Sequence, residues 1–273
     1  MRKVSRMAAF AAVGVAALAP VPGLAQRTDD DWLEDCRDDS DRGRQVAFCE
    51  VRVADASLGS GPIRVDPGPN GGVSVVGWDE NRVEVHARVV ARARTEEDAA
   101  DLAEEVRVSL DGVIEADGPR SDRRSNWSVS FVVYAPADSD AEIEALNGPL
   151  SVTGVSGRMR LDAENGPILL RDVGGDVVAR TRNGPLTVEL SGTQWEGAGL
   201  DAETVNGPVT LTLPDDFNAN LETGTANGPF TSDLPITMTI RGRLGRPFTG
   251  TLGQGGPPIR VVTVNGPVRI RES

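Results

Sequence analysis

The chain has 273 residues, with 41 acidic side chains against 28 basic ones, a formal charge of −13, one His, one Tyr and two Cys. One His excludes multi-His zinc and di-iron sites, two Cys exclude a Cys₄ finger or a four-Cys iron–sulfur cluster, and the acidic balance argues against nucleic acid as a partner. Gly (31) and Pro (18) together make about 18% of the chain, against about 12% in average proteins, and aromatics only 4%, which points to a turn-rich all-β protein.

The first 25 residues read as a leader. Arg2, Lys3 and Arg6 form a basic start, Met7 to Ala19 is apolar and too short for a span of about 20 residues, and Gly23-Leu24-Ala25 is a small–x–small cleavage pattern. A secretory signal peptide cleaved after Ala25 is expected, and with it a periplasmic or secreted protein. No later run is long and apolar enough for a transmembrane segment. Cleavage removes three basic and no acidic residues, so the exported charge becomes −16.

Residues 26–45 read as an acidic N-terminal arm, dense in Asp at 29–31 and 35–41 and solvated rather than calcium-binding, because no EF-hand spacing holds. Cys36 and Cys49 are an even pair in an exported chain and are expected to form a disulfide.

Residues 46–136 read as a β-rich cap. Val46–Val53, Ile63–Val65, Val73–Val76, Arg82–Ala91, Val108–Val113 and Trp127–Tyr134 alternate as strands. One helix is expected at 95–106, with Thr95 as N-cap, Glu96, Glu97 and Asp98 in the first turn and Ala99, Leu102, Ala103 and Val106 on one face. His86 alternates with Val83, Val85 and Ala87 and is expected to face solvent.

Residues 137–273 are governed by a repeat. Asn-Gly-Pro occurs six times, at Asn147, Asn165, Asn183, Asn206, Asn227 and Asn265, separated by 18, 18, 23, 21 and 38 residues, with Asn70-Gly71-Gly72 a looser relative. The last gap reads as two units with one degenerate coil between them. Within a unit the apolar positions step by two, as in Leu150 and Val152, then Ile168 and Leu170. Each coil of about 18–23 residues therefore holds two short strands, such as Leu150–Val155 and Met159–Glu164, and the stacked coils form a parallel β-solenoid. The corners are assigned to Asn and Gly in left-handed conformations, with Pro fixing φ at the strand start. Small residues (Ala145, Ala163, Thr181, Thr204, Thr225, Thr263) precede each Asn by two, as a tight inward corner needs. Arg180 is expected between acids on neighbouring coils, and Glu164 against Arg182. Val268–Arg271 reads as an open C-terminal edge.

The run Val132-Val133-Tyr134-Ala135-Pro136, followed by repeated Asn-Gly motifs with short alternating strands, resembles a widespread bacterial domain-of-unknown-function family of β-strand-repeat proteins labelled putative adhesin. The resemblance covers roughly residues 46–271. It implies an exported or envelope-associated solenoid and carries over no active site.

The chemistry in the sequence is sparse. G-x-S-x-G and H-E-x-x-H are lacking, no catalytic residue, cofactor or metal site is assigned, and a Ser-His-Asp triad would have to use His86. The reading is a non-catalytic, adhesin-like binding or scaffold protein with an envelope protein or glycan as partner. Two alternatives stay open: a polysaccharide-active β-helix enzyme, which needs acids and Arg clustered on one face, and an envelope sensor or regulator acting through protein contacts.

Overall fold

The computed structural model describes residues 28–40, 45–57, 61–234, 238–239 and 247–273. The leader assigned to residues 1–25 lies outside the described residues.

The chain opens with helix α1 (Asp29–Ser40), then β1 (Val46–Asp55), β2 (Ile63–Asp66), β3 (Val73–Trp78) and β4 (Glu84–Ala93). Helix α2 (Glu96–Glu105) precedes β5 (Arg107–Ser109), β6 (Ile114–Asp117) and β7 (Asn126–Pro136). The repeats supply β8 (Ala141–Asn147), β9 (Leu150–Thr153), β10 (Ser156–Asn165), β11 (Ile168–Arg171), β12 (Gly174–Asn183), β13 (Leu186–Glu189), β14 (Gly199–Asn206) and β15 (Val209–Leu213). They continue through β16 (Ala219–Asn227), β17 (Phe230–Ser232), β18 (Met238–Thr239), β19 (Phe248–Leu252), β20 (Pro258–Asn265) and β21 (Val268–Glu272).

These strands form two sheets, ordered β1-β4-β7-β3-β9-β11-β13-β15-β21-β17 and β18-β19-β16-β20-β14-β12-β10-β8-β2-β6-β5. Both are mixed. Pairing is parallel from β3 to β17 and from β6 to β16, and antiparallel in β1·β4·β7, β5·β6 and β16·β19·β18. Alternation sorts each strand's residues: Leu150, Ile168, Leu186, Val209 and Val268 lie in direct register on the first sheet and are buried between the sheets. Leu161, Ala179, Ala202 and Val261 face them from the second. Strands from before and after residue 136 share both sheets and one apolar core, because β2 and β3 stack directly on β8 and β9.

The corners differ from the expectation. Among the described residues the only non-glycine with positive φ is Asp172 (φ 49°), so no corner Asn is left-handed. The Asn side chains instead form a ladder. Each amide Nδ2 donates to the Oδ1 of the next coil's Asn: Asn165 to Asn147 at 3.0 Å, Asn183 to Asn165 at 2.8 Å, Asn206 to Asn183 at 3.0 Å, Asn265 to Asn206 at 2.9 Å and Asn227 to Asn265 at 2.9 Å. Asn70 joins the foot of the ladder through Asn147, at 3.5 Å. The glycine that follows is required by approach rather than by φ. A Cβ on Gly166 would sit 2.0 Å from the carbonyl oxygen of Gly148. One step inward, the Thr181, Thr204 and Thr263 hydroxyls donate to glycine carbonyls at 2.8–2.9 Å.

The order of coils also departs from the sequence order. β20 lies between β14 and β16, and β21 between β15 and β17. The final Asn-Gly-Pro coil is thus inserted into the stack, and Val268–Ile270 is paired on both sides rather than being an open edge, with Arg271 paired to β15. The described residues between Asn227 and Asn265 do not make a degenerate coil: β19 runs antiparallel on β16 and pairs with β18.

Among the described residues there are two helices, not one. α2 matches the expected position and is capped by Thr95, whose hydroxyl accepts from Asp98 N. α1 forms in the acidic arm. Asp29, Asp30 and Asp31 fill its first turn, favourable to the helix dipole, and Thr28 and Asp31 cap each other reciprocally at 3.2 Å. The Cys36–Cys49 disulfide ties α1 to β1.

Candidate functional site

The outward residues of the first sheet build the site. Alternation and register bring Val132 (β7), Ser74 (β3), Ser151 (β9), Leu169 (β11) and Thr187 (β13) into one row across five strands, about 19 Å long at the usual spacing. This row floors a groove of about 490 Å³. One rim is the proline column Pro149, Pro167 and Pro185; the other carries Tyr134, Arg171 and Glu189. Trp32 of α1 and Arg88 close one end. The groove is apolar at the Trp32 end. At the far end Arg171 and Glu189 pair at 2.7 Å, and along the floor the Ser151 hydroxyl donates to Ser74 at 2.9 Å.

A latch holds α1 beside this groove. Asp29 accepts from Arg88 at 3.0 Å and lies 2.5 Å from His86 Nδ1, while His86 Nε2 lies 2.9 Å from Glu84. The guanidinium of Arg88 is 5.6 Å from the centroid of Trp32. The His86 ring meets Tyr134 edge-on at 5.2 Å, and Tyr134 meets Trp78 at 5.5 Å. Arg82 lies over Trp78 and bridges Asp55, Glu80 and Glu84. The hydrogen bond to His86, then that to Arg82, holds the Glu84 carboxyl below the usual carboxylate range. Burial, reinforced by the charge of Asp29, pushes the Tyr134 phenol up.

His86 therefore does not face solvent, as its strand parity suggested. The parity is right, but α1 covers that outward face, and the side chain is 17% exposed. Both ring nitrogens are engaged by carboxylates, so neither is left to activate a hydroxyl nucleophile in a triad.

The outward face of the second sheet is charged. Glu164 pairs with Arg182 at 3.1 Å. Arg180 lies in register between Asp162 and Glu203, but its ion pair is the diagonal one to Asp201, at 3.2 Å. Arg260 gathers Asp201, Glu203 and Glu222 at 2.6, 3.0 and 3.3 Å. Burial works to lower the Arg260 pKa, yet the hydrogen bonds to Asp201 and Glu203 leave it raised. Among the described residues no group of three or more His, Cys, Asp or Glu is placed to hold a metal ion, and no helix is long and apolar enough to cross a membrane.

Of the residues singled out in the sequence, Cys36 and Cys49 are joined, and Asn147, Asn165, Asn183, Asn206, Asn227 and Asn265 line one edge of the stack. Neither set enters the groove. The floor row comes from five strands between 74 and 187 in the chain, and its walls reach from Trp32 to Glu189. Their traces in the sequence are Val132 and Tyr134 on β7 and Leu169, apolar or aromatic at outward positions, the last where the flanking coils carry Ser151 and Thr187.

Fold and site together define an all-β repeat protein of two mixed sheets with a groove on one outer face. The chain belongs to the Toastrack DUF4097 family, whose model matches residues 120–271. It is similar to the structure of a putative cell adhesion protein from Clostridium sporogenes ATCC 15579, at 10% identity, over 83% of this chain and 100% of that one, with a TM-score of 0.43. It is similar to a putative adhesin from Bacteroides fragilis NCTC 9343, at 10% identity over 83% and 97% of the two chains, TM-score 0.41. A third, a putative adhesin from Parabacteroides merdae ATCC 43184, shares 8% identity over 83% and 96%, TM-score 0.31. No curated protein matches the chain.

Proposed function

We propose that this chain is a non-catalytic exported protein, a parallel β-solenoid behind a β-rich cap of residues 46–136, that binds or scaffolds a component of the cell envelope in an adhesin-like manner. The observation that carries the reading is the groove itself: a concave, largely apolar surface that strand register builds and a helix closes at one end. Its neighbouring histidine is held by two carboxylates and has no ring nitrogen for chemistry. A cleaved leader ending at Ala25 and a periplasmic or secreted location belong to the same reading; the Cys36–Cys49 disulfide supports an oxidising compartment.

One observation favours the polysaccharide-active alternative. Asp201, Glu203 and Glu222 do cluster on one face with Arg260. All three carboxylates, however, are taken up by the one Arg260 guanidinium, which sets aside no carboxyl pair to flank a glycosidic bond. The test is to incubate the exported chain with isolated envelope material and measure both retention and released glycan fragments. Retention without fragments is the expected result. Fragment release that Asp201→Asn abolishes would overturn it.

A further inference from the structure

We infer that the groove on the first sheet takes the single acyl chain of an amphiphile with a zwitterionic head group, of the phosphoethanolamine type. This rests on the envelope-binding reading above and names the ligand class of the same site. The groove is polarised along its length. At one end Trp32, Tyr134 and Val132 form an apolar pocket under α1. Beyond Ser74 and Ser151, which satisfy each other on the floor, Leu169 and the proline column Pro149, Pro167 and Pro185 carry an apolar surface toward the far end, where Arg171 and Glu189 stand side by side in register on adjacent strands. Arg88 at the closed end is neutralised by Asp29.

The charges at the open end choose the head. Arg171 and Glu189 form a partly exposed pair, 22% and 37% exposed, so the site offers one cation and one anion within a few ångströms. A phosphate beside an ammonium matches both at once: the phosphate accepts from the guanidinium and the ammonium donates to the carboxylate. A purely anionic head would meet Glu189, and a purely cationic one Arg171. The tail fits because the groove volume lies within the usual range of small-ligand sites, and Trp32, Leu169 and the proline rim present apolar surface along it away from the charged pair.

The test titrates the exported chain with lysophosphatidylethanolamine, with palmitate and dodecylamine as single-charge probes and phosphatidylethanolamine vesicles as the bilayer source. Saturable one-to-one binding of the lysolipid is expected, weakened about tenfold by Leu169→Asp. Glu189→Gln should weaken the lysolipid and leave palmitate as tight or tighter. If Leu169→Asp does not fold, Leu169→Thr replaces it, since Thr187 occupies the same row on the next coil. Vesicle binding lost with the same variants would assign the bilayer as the source; lysolipid binding alone would assign the free lipid.

No saturable binding, or binding that Leu169→Asp and Leu169→Thr leave unchanged, would overturn the inference. So would palmitate or dodecylamine binding as tightly as the lysolipid with Glu189→Gln without effect. If lipids fail while Leu169→Asp still reduces retention on envelope material, the ligand class falls and the envelope-binding reading stands; if retention is also unmoved, both fall.

Discussion

At the scale of single residues, the corner glycines leave no room for a side chain. Gly166 packs its Cα against the carbonyl of Gly148, so Gly166→Ala must push neighbouring coils apart. We expect a loss of about 3 kcal/mol or more, read as a drop in the urea midpoint. Asn183 donates to Asn165 and accepts from Asn206, so Asn183→Val removes both ladder bonds and should cost about 1–3 kcal/mol. The reason is the amide, not the backbone angle, so Asn183→Gly should be almost as costly as Asn183→Val. Asp172 is the reverse case. It holds φ 49° where the preceding coil has Gly154 at φ 67°. Asp172→Gly should therefore raise the melting temperature by a few degrees, from relief of about 0.5–1 kcal/mol.

At the scale of elements, α1 depends on two ties, the disulfide and the Asp29 latch. The disulfide closes a loop worth about 3 kcal/mol in the chain-entropy model, so Cys36→Ser should raise hydrogen exchange through α1 well before the repeat strands. The latch is also acid-sensitive through Glu84. Its folded pKa lies below the ordinary value, so its contribution is present above the usual carboxylate range and is lost as pH falls through the depressed pKa. The urea midpoint should fall below about pH 4, and should fall less in Glu84→Gln. None of this was legible in the acidic arm. The same aspartates that suggest a solvated tail also suit a helix first turn, and the partners that decide between the two, His86 and Arg88, are more than fifty residues away.

At the scale of the molecule, period and register were legible because every coil repeats the same apolar steps. Leu150, Ile168 and Leu186 align in space as they do in the repeat. The order of the coils was not legible, for the same reason. A parallel ladder accepts any coil with the matching pattern, so the period cannot say that the coil ending the chain lies between two earlier ones. The groove was hidden likewise, since outward residues are free to vary and only their stacking makes a surface. The insertion has a mechanical consequence. Ending the chain at residue 257 removes a coil that touches both neighbours, and should lower the melting temperature by far more than the few degrees expected for trimming an edge.

The central claim is that this molecule works through the outer face of its first sheet. It is tested most directly by comparing Leu169→Asp with Asp201→Asn for retention on isolated envelope material. Leu169→Asp should lose most of its retention while Asp201→Asn keeps it. Loss confined to Asp201→Asn, with Leu169→Asp retained as well as the native chain, would contradict the claim.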